Sequence, residues 1–173
     1  MKIFGISLLL FASVVSATTI SREEALRTAF PGAEVRSRVV FLTDQEKEEV
    51  KKISGTEVPT ALVACYFAEK SGKEIGRAYL DTHVVRTKKE SLLVILKPDG
   101  TLKRVEVVAF LEPSEYMPSE RWYQQFEGQS LDEDLKLERD IHAVTGATLT
   151  AKATTEAVRR VMAIDSILQR KRK

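Results

Sequence analysis

The spacing of apolar and polar positions divides the chain into three kinds of segment. Met1 to Ser16 carries one basic residue, Lys2, and then the apolar run Ile3 to Val15, interrupted only by Gly5, Ser7 and Ser13. The small residues Val15-Ser16-Ala17 follow, and this order reads as a secretory signal peptide cleaved after Ala17. The run is shorter than the roughly 20 residues a spanning helix needs. No cysteine follows it, so a lipoprotein anchor is not indicated. Ser21-Arg22-Glu23-Glu24 has the form of a capping box and opens a short helix to about Phe30, with Ala25, Leu26 and Ala29 as one stripe and Pro31-Gly32 as the stop. Val35 to Leu42 is strand-like. Thr43-Asp44 then starts a charged helix, Gln45 to Ile53, in which only Val50 and Ile53 can face a core, and Gly55 ends it.

From Pro59 the period changes to that of strands. Thr60 to Ala68, Glu74 to Arg86, Ser91 to Leu96 and Leu102 to Leu111 are rich in Val, Ile, Leu, Tyr and Phe. Ser71-Gly72, Thr87-Lys88-Lys89 and Pro98-Asp99-Gly100 supply the turns of an antiparallel sheet. Leu92 to Leu96 is apolar at every position, which predicts a central strand with helices over one side and a second apolar surface on the other, a candidate ligand pocket. An antiparallel sheet packed with N-terminal and C-terminal helices is an α+β fold. The expected organisation is a signal peptide (1–17), a helix-strand-helix segment (18–58) and a main domain (59–173).

The last helix has apolar residues at Val158, Val161, Met162, Ile164, Ile167 and Leu168, and it is entered through His142-Ala143-Val144-Thr145-Gly146-Ala147-Thr148-Leu149-Thr150. Hydroxyls gather there at a helix N-terminus, where unpaired N–H groups and the helix dipole favour an anion such as a phosphate. The alternative is that Thr148 or Thr150 caps the helix. Between sheet and helix lies an aromatic-rich segment, Glu112 to Gly128. Glu112 and Tyr116, on its irregular part, are pocket candidates. Trp122 and Phe126, four residues apart, are either one face of a short core helix or ligand-stacking rings.

Composition narrows the function by exclusion. The 173 residues are 43% hydrophobic and 30% charged, with 27 Lys and Arg against 25 Asp and Glu. Loss of Lys2 with the signal peptide leaves 26 against 25, so no basic field argues for nucleic acid. The terminal Arg170-Lys171-Arg172-Lys173 suits the negative end of a helix dipole, or weak attraction to an anionic membrane. The single cysteine, Cys65, sits in a strand pattern as a small buried thiol. His83 and His142 are isolated in sequence, and no nucleophile, general-base or metal-ligand spacing is present.

Thr145-Gly146-Ala147-Thr148, the Leu149-Thr150 helix start, the Gly128-containing aromatic segment, the Glu112-Pro113 strand exit and the Gly76-Arg77-Ala78-Tyr79 strand together resemble the FMN-binding domain family. That family comprises extracytoplasmic flavin carriers of the Rnf and sodium-pumping NADH:quinone oxidoreductase complexes and small exported proteins, and the resemblance spans roughly residues 59 to 165. It implies FMN attached covalently through a phosphoester to Thr148, made from FAD by a flavin transferase using Mg²⁺. It implies further cofactor contacts from Thr145, Gly146, Ala147, Leu149, Thr150, Glu112, Tyr116, Trp122 and Phe126. The family usually has an aspartate three residues before the first Ser/Thr of the motif; this chain has His142 there, with Asp140 two positions earlier. The implied function is an exported, periplasmic or extracytoplasmic electron carrier, rather than a stand-alone enzyme, exchanging electrons with a membrane-associated protein. The alternative is a non-flavin ligand- or protein-binding module in which the threonine stretch only starts a helix.

Overall fold

The computed structural model describes residues 19–172; the segment read as a signal peptide lies outside them. Five strands form one antiparallel meander in the order β1-β2-β3-β4-β5. They are β1 (Glu34–Phe41), β2 (Leu62–Lys70), β3 (Lys73–Val84), β4 (Lys89–Leu96) and β5 (Leu102–Phe110). Segments 18–58 and 59–173 share this sheet, because β1 pairs with β2 from Glu34 opposite Glu69 to Phe41 opposite Leu62. The expected α+β class is the observed one. No helix among the described residues is long and apolar enough to cross a membrane.

Both faces of the sheet are covered by helices. On one face, α1 (Arg22–Ala29) lays Ala25, Leu26 and Ala29, with Phe30, onto Tyr66, Ala68, Ala78, Leu93 and Ile95. On the other, α4 (Thr148–Arg170) presses Val158, Val161, Met162 and Ile164 onto Cys65, Tyr79, Leu92, Val94 and Val105. The strand that is apolar on both faces is therefore sandwiched, but it is not central: β3 is the middle strand and β4 lies next to the edge. The second apolar surface expected to form a ligand pocket is filled by α1. An apolar pattern on both faces reports two-sided coverage, and it does not rank strands within a sheet.

Helix starts follow the side chains available. Ser21 Oγ accepts the Glu24 N–H at 3.1 Å, but the Glu24 carboxylate does not bond back, so only half of the expected capping box forms. The reciprocal box is at α2 (Asp44–Ser54), where Thr43 Oγ1 accepts the Glu46 N–H at 3.2 Å and Glu46 accepts the Thr43 N–H at 2.8 Å. Helix α2 lies against α4 through buried Val50, and its acids meet the end of α4: Arg170 pairs with Glu49, Lys171 with Glu46, while Arg172 reaches Glu74 on β3 at 2.9 Å. The terminal cations among the described residues, Arg170, Lys171 and Arg172, are thus already paired with carboxylates.

Helix α4 is fixed on the sheet by buried polar groups. Asp165 accepts from Arg77 Nε at 2.6 Å, Arg77 Nη2 at 2.9 Å and the Tyr79 hydroxyl at 2.6 Å. Arg160 forms a two-pronged pair with Asp81 at 2.8 and 3.0 Å, and Arg159 donates to the Ser54, Asp132 and Leu135 carbonyls. His83, isolated in sequence, lies between Asp81 (2.9 Å) and Glu90 (3.0 Å), and Glu90 also accepts from Thr154 of α4 and from Tyr123. Its register opposite Glu90 creates this cluster. Burial alone would lower the His83 pKa, but hydrogen bonds to the two carboxylates outweigh it and raise the value to about 9. Against its own burial, His83 and Arg160 hold the Asp81 carboxyl below its ordinary range. Cys65 is buried as expected, and burial pushes its thiol up to about 12.

One glycine is fixed by close approach. A Cβ at Gly76 would lie 2.6 Å from Phe30 Cε1 and 2.7 Å from the Leu96 carbonyl oxygen, because α1 ends directly over β3 at that point. Gly76→Ala is expected to cost about 1–3 kcal/mol through overpacking, read as a lower urea midpoint with an unchanged slope. A second expectation concerns pH. The folded pKa of His83 lies above its ordinary 6.5, so its contribution is fully present below about 6.5 and is lost as pH rises through about 9. Urea unfolding between pH 6.5 and 10 should show a fall of up to about 3 kcal/mol in the native chain. His83→Gln should remove that step, and an equal fall in both chains would contradict the assignment.

Candidate functional site

The entry to α4 is held from behind by the aromatic segment. After β5 the chain makes a 3-10 turn at Ser114–Tyr116, the short helix α3 (Glu120–Tyr123) and a second 3-10 turn at Gln124–Phe126. Trp122 packs edge-on against Phe126 with ring centres 5.4 Å apart, and Phe126 has no exposed surface. Trp122 Nε1–H donates to the His142 carbonyl at 2.6 Å, while Gln125 Oε1 accepts the His142 N–H at 2.9 Å. The two aromatics sequence reasoning left between core and ligand are core residues here, and Trp122 also pins the loop. The His142 backbone is fully engaged and its imidazole is exposed.

From this anchor the loop turns into the helix. Gly146 sits at φ 84°, a left-handed conformation suited to glycine, with open space where a Cβ would be. The Ala147 N–H bonds to the Val144 carbonyl at 3.0 Å, and α4 begins at Thr148. Helices α1 and α2 each have a hydroxyl cap, whereas α4 has Ala147 at that position and no side-chain cap. Neither threonine offered as a cap acts as one. Thr148 Oγ1 donates to the Val144 carbonyl at 3.2 Å, and buried Thr150 donates to the Tyr116 carbonyl at 2.7 Å, tying the helix to the 3-10 turn. Among the described residues the N–H groups of Thr148, Leu149 and Thr150 have no protein acceptor. Thr145, Gly146, Thr148 and Leu149 are exposed; Ala147 is buried.

A cavity of about 170 Å³ opens at this point, lined by Gly146, Ala147, Thr148, Leu149, Thr150, Tyr116 and Arg86. Six of these seven were candidates from sequence; Arg86, which comes from the β3–β4 turn, was not. Its guanidinium lies 4.8 Å from the centre of the Tyr116 ring. Glu112 is close by but does not line the cavity. One of its carboxylate oxygens accepts three backbone N–H groups, from Arg86 at 3.0 Å, Thr87 at 2.7 Å and Lys88 at 2.8 Å. The Thr87 and Lys88 amides, helped by the Arg86 charge, hold its pKa below the ordinary range. The arrangement therefore gathers one exposed hydroxyl, three unpaired amides and one cation around a small opening, which suits a phosphate oxyanion.

A larger cavity, about 720 Å³, is lined by Arg77, Asp165, Glu74, Arg172, Thr101 and Met162 among others. Asp165 is 17 residues along α4 from Thr148, about 25 Å at a helical rise. Its charges neutralise one another through the Arg77–Asp165, Arg77–Glu74 and Arg172–Glu74 pairs, so size does not make it the better anion site.

Comparison with known proteins adds one finding and one absence. Residues 88–163 match the family model described as the FMN-binding domain. No curated protein matches the chain. The matched segment starts in the β3–β4 turn, contains the aromatic segment and the loop from His142 to Ala147, and ends within α4, so the cavity above falls inside it except for Arg86. Residues 88–163 are thus similar to the FMN-binding domain, and this match supports a flavin-binding protein.

Proposed function

We propose that this protein is an exported electron-transfer flavoprotein with FMN joined by a phosphoester to Thr148 Oγ1, exchanging electrons with a membrane-associated redox partner. The observation that carries the reading is the placing of Thr148, whose exposed hydroxyl stands in the uncapped first turn of α4 beside three unpaired amides. Attachment uses FAD, Mg²⁺ and a flavin transferase. The Thr148 hydroxyl gives up its proton, Oγ1 bonds to the FMN-side phosphorus, the pyrophosphate bond breaks and AMP leaves. The exposed loop from His142 to Gly146 is the surface that such a transferase would meet, with His142 in the place of the usual aspartate.

The remaining residues bind and orient. The Thr148, Leu149 and Thr150 amides hold phosphate oxygens at the positive end of the helix dipole. Gly146, with open space where a Cβ would stand, leaves the approach to the phosphate clear. Tyr116 and exposed Leu149 offer apolar surface for a planar ring. Bound flavin supplies the redox chemistry, and the protein supplies tether and surroundings. The cavity is smaller than the roughly 300–1,000 Å³ of most ligand pockets, so it suits a phosphate and the start of a sugar chain while leaving a ring system largely outside. Reversible affinity from so little burial is weak, and a covalent bond substitutes for it outside the cytoplasm.

The test is intact mass after co-expression with a flavin transferase. Wild type and Thr150→Val are expected to gain the mass of FMN less one water, and Thr148→Val is not. A gain in Thr148→Val would place the ester elsewhere, and no gain in wild type would favour the non-flavin binding module.

A further inference from the structure

We propose that Arg86 is the cation that receives the phosphate at the mouth of α4, and that Glu112 is the residue that positions it. This rests on the reading of Thr148 as the flavin-bearing residue and adds to it a part of the chain outside the matched segment, which begins at residue 88.

Three observations converge on Arg86. It lines the same cavity as Thr148. Among the described residues its guanidinium forms no ion pair and no side-chain hydrogen bond, in a protein where most arginines near α4 are fully engaged. Its side chain is exposed, but the backbone that carries it is fixed. The β3–β4 turn closes through the Val85 N–H to the Lys88 carbonyl at 3.0 Å, and Glu112 ties three successive amides of that turn to one carboxylate oxygen. Glu112 sits just beyond β5, so the turn that carries Arg86 is anchored to that strand's exit. One Glu112 oxygen is taken by these amides, and among the described residues Glu112 forms no ion pair with the Arg86 guanidinium. A guanidinium and three amides without acceptors thus border one opening, and the partner they suit is a multi-oxygen anion. Of the flavin, only the phosphate has that chemistry.

The test separates phosphate from ring. Apo-protein made without transferase is titrated with FMN and with riboflavin, which differ only in the phosphate. Wild type is expected to prefer FMN, and Arg86→Gln to reduce that preference about tenfold, the size of one charge-assisted contact, with riboflavin binding unchanged. Arg86→Lys should recover part of it. Glu112→Ala should lower the FMN preference in the same way, and Glu112→Gln, which keeps an acceptor oxygen, should restore most of it; a purely structural loss would weaken both flavins equally. The initial rate of mass gain with transferase gives a second readout, expected to fall in Arg86→Gln. An unchanged FMN preference, or a flavinylation rate equal to wild type when neither flavin binds measurably, overturns the proposal even where Thr148 is flavinylated. An Arg86-dependent preference in a chain that never gains mass upholds it and defeats the covalent reading instead. Inorganic phosphate binding as tightly as FMN would assign the cation to free phosphate and overturn the flavin assignment.

Discussion

The structure depends on how one helix is held to one sheet by buried charge. Asp165 binds Arg77 and Tyr79 of β3, Arg160 binds Asp81 of β3, and Thr154 reaches Glu90 of β4, so α4 is fixed at three points along its length. Such buried pairs contribute little net stability against apolar replacements, but removing one partner leaves an uncompensated charge. Their effect here is geometric. Apolar side chains such as Val158 and Val161 would tolerate a helix shifted by part of a turn, whereas the two-pronged Arg160–Asp81 and Arg77–Asp165 pairs would not. A rigid helix fixed at its middle and far end has its first turn fixed as well, and that turn carries Thr148.

Against this background the cavity at the start of α4 is distinctive in its polarity. No buried side-chain polar atom among the described residues lacks a partner, and the network under α4 is closed on itself. The unpaired donors belong instead to residues that line this open cavity, where water satisfies them at little cost until an anion displaces it. Placing them on α4 and on a turn clamped by Glu112 means that donors from distant parts of the sequence meet without rearrangement, the usual requirement for a site that binds through position.

Much of this was readable from the residues, and the exceptions have physical causes. The strands, their turns and α4 follow from period and from Gly, Pro and Asp positions. The placing of Leu92 to Leu96 did not, because a strand covered by α1 and α4 has the same composition wherever it stands in the sheet. His83 looked isolated because its partners are set by register, one two residues away on the same face and one across the ladder. Glu112 and Trp122 were singled out, but both act through backbone groups: Glu112 binds amides and Trp122 a carbonyl, and backbone partners leave no trace in residue identity. Arg86 had no distinguishing context at all. An arginine in a hairpin turn looks like any solvated cation until the fold shows what it faces.

The sandwiching of β4 has a consequence for any attempt to work with a smaller piece. The matched segment begins at residue 88 and so omits α1, β1, α2, β2 and β3, of which α1 covers one face of β4 and β3 pairs one of its edges. Cut there, Leu92 to Leu96 would become an apolar edge strand with a free row of backbone donors and acceptors and no gatekeeping charge among its five residues. That is the template on which chains add to one another. The boundary that defines the segment by similarity is therefore different from the boundary that keeps it soluble, and the latter lies before α1.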